Sequence, residues 1–131
     1  MHHQGRAMRP RILPLFILFV AVLAAPVLAH HSISAQFDST KPVTLTGIVS
    51  NVDWMNPHTY VFVDVNDSLL GKTRTWACEL ASPTELARKG VSKASLKVGM
   101  AVRVIGTRAK DGSFKIHTDS LSSDNSVLFA K

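Results

Sequence analysis

Three observations predict a mostly β fold: five runs in which apolar and polar residues alternate, one stretch with both start and stop signals of a helix, and about 100 residues left once an apolar leader is set aside. The order β-β-β-α-β-β predicts a small five-stranded antiparallel barrel of the OB type with one helix between strands 3 and 4. A sandwich would show more strands and no helix.

The leader comes first. Arg6, Arg9 and Arg11 precede the apolar run Ile12 to Ala25, and Val27-Leu28-Ala29 supplies the small residues a signal peptidase needs. Cleavage is expected after Ala29, which makes His30 the new N-terminus and places the mature protein in the periplasm or outside the cell. A retained membrane helix is the rival; it needs about 20 apolar residues, and this run is shorter and interrupted by Pro14 and Pro26. Contact with the membrane is therefore expected only through the uncleaved precursor. The expected organisation is a signal peptide over 1–29, a polar lead-in over 30–42 and a single domain over 43–131.

Each element of that domain has a local reason. VTLTGIVSNVDW alternates over a dozen positions and reads as a long first strand that bends or bulges at Gly47. It ends at MNPHT, where Pro57 fixes its own φ and pushes Asn56 out of the helical region. YVFVDVND puts Val61, Val63 and Val65 on one face of a second strand, and TRTWACEL, after the turn DSLLGK, is the other arm of a hairpin. Ser82 as N-cap, Pro83 at the first helical position, Glu85 in a capping box and Gly90 as terminator bound a short helix. MAVRVIGTRA and SFKIHTDSL, joined by KDG, are strands four and five.

Charge and cysteine usage narrow the function classes. The leader carries three of the fifteen Lys and Arg residues and none of the nine Asp and Glu residues, so the mature chain has a surplus of three positive charges. That surplus forms no basic cluster, and Trp54, Tyr60, Phe62 and Trp76 are not interleaved with a basic stripe, so nucleic acid is not an expected partner. Cys78 is the one cysteine, which excludes an internal disulfide, and its alternation with Trp76 and Leu80 makes it a buried small hydrophobe.

The succession AHHS, F-D with KPVTLTG, V-x-W-x-N-P-H, W-A-C-E-L-x-S-P, SLK-x-G and RAKDGS resembles a family of short exported bacterial proteins of uncharacterised function. The likeness covers essentially the whole mature chain, and its most specific parts are AHHS and W-x-N-P-H. The strand order is similar, more distantly, to periplasmic OB-fold proteins. The resemblance implies export and fold and carries no activity.

No nucleophile elbow, zinc-protease helix, C-x-x-C, P-loop or dinucleotide fingerprint occurs, and Asp64 and Asp67 end a strand as solvated turn residues would. A non-enzymatic binding protein is therefore expected. Cleavage would give His30 a free α-amine beside its imidazole, two nitrogen donors on one residue. A further imidazole from His58 or His31 would complete a three-nitrogen site suited to copper(II), with Met55 as a soft donor for copper(I). A frayed polar terminus is the plain alternative for the His30-His31 pair. His117, alternating with Lys115 and Asp119, reads as a residue on the wet face of strand five. The competing class is an interaction module that docks onto another envelope protein or a small ligand through Trp54, Met55, Asn56 and Tyr60, with no metal. Nothing in the sequence sets an oligomeric state.

Overall fold

The computed structural model describes residues 32–124 and 126–131; the leader, its expected cleavage point and the His30-His31 pair lie outside the described residues. A single turn of helix, α1 (Ile33–Gln36), leads into six strands: β1 (Phe37–Asp53), β2 (Tyr60–Asp67), β3 (Lys72–Glu79), β4 (Ala101–Ala109), β5 (Lys115–Ser123) and β6 (Ser126–Ala130). The helix α2 (Pro83–Arg88) stands between β3 and β4.

The strands lie in the order β3-β2-β1-β4-β5-β6, and a further pairing of β3 with β5 closes five of them into a ring of hydrogen bonds. All neighbours are antiparallel except β3 and β5, which run parallel over Ala77 to Glu79 and Lys115 to His117. One long strand makes the ring possible. β1 pairs with β4 as far as Ile48 and with β2 from Ile48 onward, so the two neighbours share a single bent strand.

Two details depart from expectation. The bulge in β1 falls between Val49 and Asn51, where Ser50 is the unpaired extra residue, and not at Gly47. Gly47 answers a different need: a Cβ there would collide with the backbone carbonyl of Asp64 on β2. The strand also begins at Phe37 instead of Val43, because the irregular register between Phe37 and Pro42 accommodates a proline that can donate no ladder hydrogen bond.

Among the described residues a sixth strand joins the five expected. SVLFA is too short and too close to the chain end to show a period, yet it pairs with β5 and buries Phe129 in the core. The core itself follows the alternation. Val61 and Val63 of β2, Trp76 and Cys78 of β3, Val102 and Val104 of β4 and Ile116 of β5 point inward together.

The helix is capped as its sequence requires. Ser82 Oγ accepts from the Glu85 N–H at 3.3 Å, which satisfies one orphan donor of the first turn. At the other end Gly90 takes φ +83°, Gly90 N–H donates to Ala87 O and Val91 N–H to Leu86 O, the paired bonds of a Schellman motif. Leu86 and Val91 meet in the core beneath it, and burying Leu86 alone contributes about 1.5–3 kcal/mol.

Candidate functional site

Strand register gathers the site before any side chain is considered. Glu79, the last residue of β3, is the cross-strand partner of Tyr60 on β2 and of His117 on β5. Directly paired residues share one face of a sheet, and Lys115, two residues before His117, shares it too. That face is opposite the one on which Cys78 enters the core. His58 is delivered by the turn after β1: the Thr59 N–H donates to Ala81 O at 3.0 Å and the Leu80 N–H to Thr59 O at 2.8 Å, stitching the turn to the end of β3. The Asn56–Pro57 peptide within that turn is cis.

Glu79 is the hub. Its Oε2 lies 2.8 Å from Lys115 Nζ and accepts from Tyr60 Oη at 3.0 Å. Its Oε1 lies 3.2 Å from His58 Nδ1 and 3.9 Å from His117 Nδ1. Burial by itself pushes this carboxyl up, but the bonds from Lys115 and Tyr60 and the charge of Lys115 outweigh it and hold Glu79 below the ordinary range. Lys115 shows the reciprocal effect: burial opposes its charge, and Glu79 more than restores it, so it is held above its ordinary value. Tyr60 is raised, by burial first and then by the carboxylate beside its hydroxyl.

His117 is buried, at 7% exposure, and this corrects the wet-face reading. The alternation was right, since Ile116 faces the core and His117 the other side. That side is covered: the Phe37 ring packs on the imidazole with centroids 5.3 Å apart. Among the described residues neither ring nitrogen of His117 has a hydrogen-bond partner. Burial, and then the charge of Lys131, lower its affinity for a proton below that of an ordinary imidazole.

His58 and His117 line one cavity of about 380 Å³, together with Ile33, Pro57, Leu80, Ala81, Ser82, Glu85, Thr118, Phe129 and Lys131. Thr118 Oγ1 adds a third buried polar atom without a partner among the described residues. The structure therefore brings His58 and Tyr60 of the expected site residues to Glu79. It does not bring the others there: Trp54 packs against the core, while Met55 and Asn56 are exposed on the turn. His30 and His31 lie outside the described residues. Among the described residues no three His, Cys, Asp or Glu side chains are placed to hold a metal ion by themselves.

Glu79, Lys115 and His117 are the site residues the sequence reading missed. One signal was available: in W-A-C-E-L a lone acid sits in a buried apolar run, and a buried carboxylate requires partners. Nothing local in sequence reveals that those partners are Lys115 and His117, because the β3–β5 pairing that supplies them joins distant segments.

Among the described residues no helix is long and apolar enough to cross a membrane. Comparison with curated proteins finds no match. The family described as "Family of unknown function (DUF6152)" matches residues 18–117, more than half of the 131-residue chain and including the N-P-H turn, Glu79 and both histidines of the cavity, and to that family this chain belongs.

Proposed function

We propose that the protein is an exported, non-enzymatic binding protein that holds copper(II) through the amine and imidazole of His30 and the imidazole of His58. In this reading the closed ring is an OB-type barrel carrying its ligand at the rim, a frequent use of such loops.

The observation that carries the reading is that Ile33 lines the same cavity as His58. His30 precedes Ile33 by three residues, a tether of at most ~10 Å of extended chain. His31 is the alternative imidazole, and the half-exposed Met55 is available as a soft donor to copper(I).

An interaction module is the second reading, favoured by the exposure of Met55 and Asn56 on the turn. Two of its four anchors are otherwise engaged: Trp54 packs on the core and Tyr60 bonds Glu79.

Exported protein recovered after its own processing should start at His30 and carry one copper(II) by mass spectrometry. In titrations against a competing chelator, His58→Ala and a form retaining one extra residue before His30 should both bind copper(II) more weakly. If both bind as well as the unaltered protein, the docking module takes the place of the metal reading.

A further inference from the structure

We propose that the cavity lined by His58 and His117 is a binding site for a small, uncharged, mostly apolar molecule that ends in a hydroxyl group, and that His117 and Thr118 recognise the hydroxyl. Such a site goes beyond the copper reading and calls on no metal.

Topology explains why a cavity forms here. The parallel pairing of β3 with β5 ends at Glu79 and His117. Beyond it the strands part: the chain after β3 turns through Ala81 and Ser82 into α2, while β5 continues beside β4 and β6. Leu80 and Ala81 on one side, Thr118 on the other, and Phe129 of β6 line the space of about 380 Å³ at this parting. Neighbours along a strand show opposite faces of an intact sheet, but where the sheet splits His117 and Thr118 border the same space. Its volume falls in the lower part of the range of small-molecule sites, whose walls are mostly apolar with a few polar groups among them.

Those polar groups decide the chemistry of the ligand. The His117 side chain is 9% exposed, and among the described residues neither ring nitrogen has a hydrogen-bond partner; the 3.9 Å between Nδ1 and Glu79 Oε1 is too long for one. Thr118 Oγ1 is buried and unpartnered in the same way. Burying such groups without bonds is costly, and a ligand that bonds them recovers the cost. With its affinity for a proton lowered by burial, the imidazole is mostly neutral above pH 6.5 and carries one N–H and one bare nitrogen. The threonine hydroxyl also donates once and accepts. A ligand hydroxyl complements this pair, whereas a hydrocarbon leaves it unbonded.

Charge argues against an ionic ligand. Lys131 is matched by Asp119 at 2.6 Å, and Glu79, behind the two histidines, by Lys115 at 2.8 Å. Glu85 is exposed at the rim, where water screens it. An ion entering beside Leu80, Pro57 and Phe129 would give up its hydration and meet no buried, unmatched counter-charge among the described residues.

The test titrates metal-free, exported and processed protein at pH 7.5 or about that value with phenol, toluene and benzoate, which share a ring and differ at its polar end, and follows the His117 ring signals by NMR. Phenol should shift them to saturation. Toluene should bind about tenfold more weakly, the factor that one hydrogen bond of ordinary net strength supplies, and benzoate more weakly than phenol. His117→Phe and Thr118→Val, which nearly keep the shape and remove the polar atoms, should each lower the affinity for phenol and narrow its margin over toluene, here followed by the Phe129 signals. Both ligands are compared within one variant, so a change in stability does not imitate the result. Equal binding of phenol and toluene by the unaltered protein, tightest binding of benzoate, or no shift with any of the three overturns the proposal. Because the titration contains no metal, its outcome is separate from that of the copper reading.

Discussion

Glu79 and Lys115 form an ion pair of 2.8 Å in which the Glu79 side chain is 5% exposed and the Lys115 side chain 29%. The asymmetry decides which partner can be lost. Without Lys115 the carboxylate stays buried with one charge uncompensated, whereas without the carboxylate Lys115 can turn its ammonium to water. Lys115→Ala should therefore destabilise the protein by about 3 kcal/mol and Glu79→Gln by about 1 kcal/mol, the latter keeping a hydrogen-bonding group of the same shape. Urea unfolding of the metal-free protein measures both. Equal costs, or a larger one for Glu79→Gln, would show that the pair is governed by something other than burial of the carboxylate.

The same cluster sets how stability responds to acid. Glu79 is held below its ordinary value of 4.5, so its contribution is present above that pH and is lost as pH falls through the folded value. His117 is held below its ordinary value of 6.5, so the fold favours its neutral form; that contribution is present above 6.5 and declines as pH falls toward the folded value. Metal-free protein should then lose stability in two stages, one beginning near pH 6.5 and one below pH 4.5. His117→Gln should abolish the first stage, and Glu79→Gln should shrink the second, to which Asp38 and Asp111, also held below their ordinary values, contribute as well. Unfolding midpoints across pH 3–8 read both directly.

Cys78 gives a prediction of kinetic access. It is fully buried in the core, and burial pushes its thiol up to about 12, so almost no thiolate exists at neutral pH. A bulky thiol reagent should modify it only at the rate of unfolding, and adding urea should accelerate labelling in parallel with loss of structure. Rapid modification of the native protein would place the thiol at the surface.

How much of this was legible in the sequence depends on the range of the interaction. The α2 helix is written out locally, and Ser82, Pro83 and Gly90 each do what their chemistry allows. The valines of β2 and the Trp76–Cys78 face of β3 announce themselves by period two. The bulge does not: Gly47 attracts the eye, yet the extra residue is Ser50, and the glycine exists for the passing carbonyl of Asp64. His117 shows the same limit. Its alternation places it opposite Ile116, but whether that face is wet depends on Phe37, eighty positions earlier in the chain. A site assembled by the β3–β5 pairing is invisible to any local window.

Gly106 offers the sharpest check on that long-range assembly. It sits on β4 where the register with β5 shifts between Ile105 and Gly106, against the backbone of His117. A Cβ at Gly106 would collide with the His117 carbonyl oxygen and stand 3.0 Å from its carbon and 3.1 Å from Thr118 Cα. All three are backbone atoms and cannot swing aside, so Gly106→Ala must push the β5 backbone outward, at a cost of about 1–3 kcal/mol. Gly47→Ala makes the same kind of collision with Asp64 on β2 and serves as the control. Both should lower the unfolding midpoint by similar amounts. Only Gly106→Ala should move the His117 ring signals and loosen the 3.9 Å approach to Glu79, because only there does the displaced backbone carry the imidazole. Ring signals that stay in place in Gly106→Ala would mean that Phe37 and Glu79, and not the β4 contact, hold His117 in position.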